Sequence, residues 1–351
     1  MKKSLVLFAA LILTLLSLSK PALTGGDSYT YLPYIYRPPS NLTVDPQSRD
    51  ASRNFYYGVY LPSEGASPDW TGSHAGCDPG STAQSFRDAI LLRINYFRAM
   101  AGLPPLEGLD DTYNQKAQQA ALMMSANNQL SHTPTPDWDC YTADGDEAAG
   151  SANLYLGVYG VSAIDGYVYD PGDGNYALGH RRWILYPQTR FMGTGDIPPT
   201  AGHPPANALW VFDEHTWDDR PATREPFVAW PPPGYVPYHV VFPRWSLSYP
   251  GADFTAATVI MTRNGAPLSV DVRPVVTGYG ENTLVWEPGA DFNTFPGPDI
   301  TFTVDVDNVL VDGGSQSFVY SVIIFDPDTL SEAGAAPVGM FGELGQAPVW
   351  Q

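Results

Sequence analysis

A chain of 351 residues with 18 Lys and Arg against 37 Asp and Glu carries a formal charge of −19. Such acidity excludes general nucleic-acid binding, which needs a basic face. Apolar residues at 44% exclude global disorder, and 33 Gly with 34 Pro point to a fold rich in turns. At about 150 residues per domain, the length fits two domains.

Lys2 and Lys3 precede an apolar run over residues 5–18, the charged and apolar regions of a secretory signal peptide. The run is shorter than the ~20 residues that span a bilayer. Residues 1–24 are therefore predicted to be a signal peptide. The protein is then secreted and extracellular, with no stable membrane span after cleavage. Residues 25–80 read as a Pro/Gly-rich N-terminal extension, including the alternation of aromatics and prolines over 29–40. Cys77 and Cys140 are the only cysteines. In an oxidising compartment an even pair predicts a disulfide, closing a loop worth roughly 3–4 kcal/mol in the chain-entropy model.

A domain is predicted over 81–217. Ser85 and Asp88 fit a capping box, and Phe86, Ile90, Ile94, Phe97 and Ala101 follow at helical spacing. Arg87, Arg93 and Arg98 fall elsewhere around that wheel, and Gly102 with Pro104 stops the helix. A second helix is predicted from Asp110 or Asp111 to about Asn127, with Tyr113, Ala117, Ala120 or Ala121 and Met124 as its apolar stripe. An extended loop follows over 130–136, then a weaker helix over about 160–169 and strands over 191–195 and 207–213.

Residues 218–237 read as a linker punctuated by Pro231, Pro232, Pro233 and Gly234. Beyond it, strands are predicted over 245–249, 258–263, 268–273, 282–286, 300–306 and 318–325, with Asn264-Gly265 as a hairpin turn. Regular strands without helices predict an antiparallel, immunoglobulin-like β-sandwich over 238–330. Residues 331–351 are a C-terminal tail.

Four stretches in register carry a family resemblance: residues 92–106, residues 117–124 running into Leu130-Ser131-His132, residues 151–157, and residues 179–187 followed by 192–195. This region resembles the CAP superfamily of cysteine-rich secretory, antigen 5 and pathogenesis-related proteins, of the bacterial exported type. The resemblance implies a CAP-type α-β-α sandwich with a shallow cleft, so the whole chain is predicted as α+β. It also implies two cleft histidines and two cleft acids. His132 and His180 match the histidines. The first glutamate aligns with Ala152, before Asn153, leaving Glu147 five residues upstream as its substitute. The second acid aligns near Asp170.

His132, His180, Glu147 and Asp170 are thus the candidate metal ligands, with zinc or calcium as the divalent metal the residues leave open. The same four are the catalytic candidates if the protein is an enzyme. Ser131 is the nearest nucleophile, but no G-x-S-x-G elbow surrounds it. The acids of residues 170–175 lack a full EF-hand loop. Arg181 and Arg182 either face an anion or neutralise acidic neighbours. The Tyr and Trp of the sandwich read as packing residues whose rings can also stack on sugars. The predicted function is a non-enzymatic extracellular binding module for a small-molecule, lipid or cell-surface ligand. The alternative is a metal-assisted or His/acid hydrolase acting on peptide or cell-wall material.

Overall fold

Ser48 starts the first described helix, α1 (Arg49–Phe55), by accepting a hydrogen bond from the Ala51 N–H at 3.2 Å. The structure, a computed structural model, describes residues 42–292 and 297–329. The expected signal peptide, the 29–40 stretch and the 331–351 tail lie outside them. A π-turn (Tyr56–Tyr60) and a 3-10 turn (Leu61–Ser63) continue α1. Residues 49–63 are therefore helical, although they read as irregular extension. Local propensity does not decide this. Phe55 and Tyr60 stack or edge onto Tyr96 of the next helix, with centroids at 5.3 and 5.0 Å, and packing fixes the segment.

That next helix, α2 (Gln84–Met100), starts one residue before Ser85, and Ala83 at its N-cap supplies no side-chain bond. The expected capping box is not made. The stop is as read, with Gly102 at φ +79° just past the end. Arg93 and Arg98 are fully buried. Residues 49–64 cover the flank on which Arg93 lies. Its guanidinium sits 3.6 Å from the centre of the Tyr60 ring and pairs with Asp165 and Glu64. Arg98 donates to the carbonyls of Pro104, Ile184, Tyr186, Pro187 and Thr189, pinning the loop after the Gly-His motif.

A short strand β1 (Gly108–Leu109) precedes α3 (Asp111–Asn127), capped by Asp110, which accepts from the N–H groups of Thr112 and Tyr113. Then come α4 (Ala143–Ser151), β2 (Ala152–Leu156), α5 (Val161–Tyr169), α6 (Gly179–Ile184), β3 (Phe191–Ile197) and β4 (Ala206–Trp210). The sheet order is β1-β3-β4-β2, with β1 parallel to β3 and the other pairs antiparallel. Helix α3 lies against β3 because Gly195 has no Cβ; one there would come within 2.1 Å of Ala117. On the alternate residues Thr194 and Asp196, a buried network reaches Asn207 and the Tyr167 hydroxyl of α5. Helices thus cover both faces, an α-β-α sandwich. Cys77 and Cys140 form the expected disulfide, with Cα atoms 5.0 Å apart.

The stretch read as a linker ends in two strands, β5 (Val228–Trp230) and β6 (Gly234–Pro237). They are short and proline-rich, so their alternation is too brief to see in sequence. Seven more follow: β7 (Trp245–Tyr249), β8 (Thr258–Arg263), β9 (Ala266–Leu268), β10 (Val270–Val272), β11 (Asn282–Pro288), β12 (Ile300–Val311) and β13 (Gly314–Phe325). They form two sheets, β10-β11-β7-β5 and β6-β13-β12-β8-β9, antiparallel except for β6 beside β13. The run expected as one strand over 268–273 is broken into β9 and β10, which belong to different sheets. Buried Trp245, Trp286 and Phe302 fill the space between the sheets, whereas Trp230, in register with Ser246, lies on the other face of its sheet.

The two halves share an extensive polar contact. Arg181 of α6 donates to the Arg244 carbonyl and Ser246 Oγ. Arg182 donates to the carbonyls of Val276 and Glu281. Arg224 donates to Met100 O, while Arg49 near the N-terminus pairs with Asp299. Across the same junction Phe97 meets Trp230 edge-on at 5.1 Å.

Candidate functional site

Two cavities share one wall. One, of about 370 Å³, is lined by Leu130, Leu154, Tyr155 and Tyr167; the other, of about 330 Å³, by Asn153, Trp183, Phe212 and Tyr279. His132, Asn175 and His180 line both. The fold therefore brings the two predicted histidines, 48 residues apart in the chain, to one cleft.

Each imidazole is held by its Nδ1. His132 sits on the loop after α3, and its Nδ1 is 2.7 Å from the Ala149 carbonyl of α4. A carbonyl only accepts, so this nitrogen carries the proton. His180 is the second residue of α6. Its Nδ1 lies 2.7 Å from Asp170 Oδ1, and its backbone N–H donates to Asp170 Oδ2 at 3.1 Å. Asp170 closes α5 in a left-handed conformation, φ +52°, which turns its carboxylate back onto the start of α6. The carboxylate is 1% exposed. In the neutral state both rings then present Nε2 as a bare lone pair, and neither Nε2 has a hydrogen-bond partner among the described residues.

Of the four predicted residues, the structure gathers His132, His180 and Asp170 but not Glu147. Glu147 is exposed on α4 and pairs with Lys116 Nζ at 2.6 Å. Lys116 is the only lysine after residue 20, and it recruits the nearest acid of the α3–α4 surface. Both Asp170 oxygens are already used by His180. Among the described residues, no group of three or more His, Cys, Asp or Glu is placed to hold a metal ion. The donor set does not complete a metal centre. Ser131 lines the larger cavity, with its Oγ accepting from the Thr133 N–H at 3.0 Å.

Among the described residues neither Arg181 nor Arg182 makes a salt bridge, although the Asp170 charge favours the Arg181 cation. Both are buried and donate to backbone carbonyls. Burial pushes Arg181 down to about 9 and Arg182 to about 10, so both stay charged at neutral pH. Sequence reasoning missed Asn175, Trp183, Phe212 and Tyr279 as lining residues. Trp183 stands inside the Gly-His stretch and was available to it, whereas nothing in the chain signals that Tyr279 returns to this cleft.

Residues 91–202 match the model of the Cysteine-rich secretory protein family, CAP. This chain carries a CAP-superfamily domain. His132, Ala152, Asp170 and His180 all lie within the matched residues, and a β-sandwich follows them. No curated protein matches. Among solved structures, the methionine-rich copper resistance protein PcoC from Escherichia coli is similar at 18% identity, covering 28% of this chain and 93% of that one, with a TM-score of 0.22. An outer surface protein from Borrelia burgdorferi is similar at 19% identity, covering 36% of this chain and 92% of that one, with a TM-score of 0.26. No helix among the described residues is long and apolar enough to cross a membrane.

Proposed function

We propose that this CAP domain is a non-enzymatic extracellular binding module whose ligand sits between His132 and His180. The observation that carries this reading is the pair of imidazoles, each anchored through Nδ1 and each offering Nε2 to one cleft. Rigidly held acceptors in a concave, partly apolar setting suit recognition of a small molecule. The disulfide and the signal-like N-terminus support an extracellular setting.

The test is imidazole NMR on the full chain, with cellotriose, palmitate and cholesterol as probes. Selective shifts at His132 and His180, over the other four histidines, are the expected result. Shifts confined to His74, His203, His215 or His239 would overturn the assignment.

One observation favours a second reading. A buried carboxylate orienting an imidazole at 2.7 Å is the arrangement of a general base. A hydrolase of peptide or cell-wall material would use His180 that way. It would need a nucleophile or a water in the cleft, since Ser131 Oγ accepts from the Thr133 amide. Turnover of such a substrate, lost in His180→Gln, would move the conclusion to catalysis.

A further inference from the structure

We infer that the Tyr279 loop of the β-sandwich completes an aromatic subsite of the cleft, and that the cleft takes a neutral, hydroxyl-rich ligand, a short uncharged sugar chain. The inference rests on the binding reading above and names its ligand class.

The first support is the balance of hydrogen-bonding groups. His132 Nε2 and His180 Nε2 are acceptors in the neutral rings. Asn175 donates one of its two side-chain N–H groups to the Pro171 carbonyl at 2.8 Å and offers Oδ1 as a third acceptor. Asn153 likewise donates one of its two side-chain N–H groups to the His180 carbonyl. The cleft therefore presents acceptors beside donors, the second amide N–H of each asparagine, the Ser131 hydroxyl and the Trp183 indole N–H, and a matching ligand must both donate and accept. Hydroxyl groups do so. An anion brings no donor for the imidazole and amide lone pairs, and an acyl chain brings neither donor nor acceptor to the groups it would bury.

The second support is charge. Among the described residues lining either cavity, none is Lys or Arg, and Asp170 is the one carboxylate. That carboxylate is spent on His180. The wall therefore selects neither sign of charge, in a chain with net charge −19.

The third support is the ring wall. Trp183 and Phe212 meet edge-to-face at 4.4 Å, and Tyr279 is 41% exposed beside them. A sugar ring presents C–H groups on one face and hydroxyls at its rim. Aromatic faces cover the first and the three acceptors take the second. His132, Asn175 and His180 line both cavities, so the aromatic part continues into the part lined by Tyr155 and Tyr167. An elongated ligand of two or three rings suits that continuity better than a single ring. Tyr279 is held for this role from two sides. Arg182 lies 5.5 Å from its ring centre, and a Cβ on Gly179 would come within 3.1 Å of the ring.

The experiment is isothermal titration of the full chain with cellotriose, maltotriose and triacetylchitotriose, and with palmitate as the lipid arm. At least one trisaccharide is expected to bind. Tyr279→Leu keeps the bulk against Gly179 but removes the ring, and is expected to weaken binding about tenfold. Tyr279→Phe keeps the ring and is expected to stay within about twofold of wild type. His180→Gln is expected to weaken the same sugar, tying subsite and cleft together. Sugar binding indifferent to Tyr279→Leu overturns the subsite. Palmitate binding through the histidines without sugar binding overturns the ligand class and leaves the binding reading standing. No binding of any probe overturns both.

Discussion

Arg181 Nη1 donates to the backbone carbonyl of Arg244 at 2.8 Å, joining the helix that bears His180 to the edge of β7. The same guanidinium also donates to the Val168 carbonyl and to Ser246 Oγ. One buried cation thus ties the end of α5, the start of α6 and the sandwich. Arg181→Met would leave these acceptors in a dry junction without their donor. A loss of about 3 kcal/mol is expected, read as a lower midpoint in urea. Arg181→Lys is expected to recover only part of it, since an ammonium cannot reproduce the planar fork. Wild-type stability in both variants would show that the contact carries nothing.

Proteolysis probes the same junction. Residues 217–219 are exposed, whereas 227–234 are buried within or beside β5 and β6. Cleavage is expected between 217 and 226, and the two pieces are expected to co-elute on size exclusion without denaturant. A free, folded sandwich fragment would show that the halves are independent domains joined by a linker.

The disulfide spans 63 residues of sequence. It ties the loop before α2 to the loop before α4. Replacing both Cys77 and Cys140 by Ser is expected to cost about 4 kcal/mol on the chain-entropy model. Thermal melts of the oxidised protein, the reduced protein and the double variant check it. Reduction should lower the wild type to the level of the variant and leave the variant unchanged.

His74 stacks on His203 with centroids 3.9 Å apart, and its Nε2 lies 2.9 Å from Ser125 Oγ. Burial, and then the neighbouring imidazole, hold the pKa of His74 below its ordinary value. The unfolded chain, with a histidine pKa near ~6.5, therefore takes up a proton before the folded one does. The stability from neutral His74 is present above that pH and lost as pH falls toward the folded value. Melting temperature should drop more steeply between pH 7 and 5 in wild type than in His74→Gln. Equal slopes would exclude this imidazole as the source.

Asp170 sets which nitrogen of His180 is protonated. Asp170→Asn removes the carboxylate that accepts from Nδ1–H, and an amide N–H in its place favours a bare Nδ1. The tautomer is expected to switch to Nε2–H, costing about 2 kcal/mol of stability and converting a cleft acceptor into a donor. Nitrogen-15 imidazole shifts report this directly. An unchanged Nδ1–H signal in the variant would show that the carboxylate does not select the tautomer.

What can be read from the chain, and what cannot, follows from where the deciding contacts lie. The bounds of β7 and β8 agree with the expected strands, because Trp245, Leu247 and Met261 alternate with wetter residues and Asn264-Gly265 closes the turn at φ +50° and +81°. Asp110 announces α3 through a cap that needs only the next three residues. The histidines are legible by motif, and Asp170 by its position relative to them. Glu147 is misplaced in that reading because Lys116, 31 residues earlier, claims it. Residues 49–63 escape it because α2 makes them helical. Tyr279 escapes it because its place in the cleft is set by Arg182 and Gly179, almost a hundred residues upstream.

Gly179 opens α6 without a positive φ, so its backbone places no demand for glycine. What crowds a side chain there is the ring of Tyr279, 3.1 Å from where a Cβ would stand. The glycine before His180, part of the stretch that carries the family resemblance, here also makes room for the sandwich. Gly179→Ala should be tolerated in company with Tyr279→Ala and resisted alone. A cleft transplanted onto a scaffold lacking the sandwich would lose this crowding at position 179.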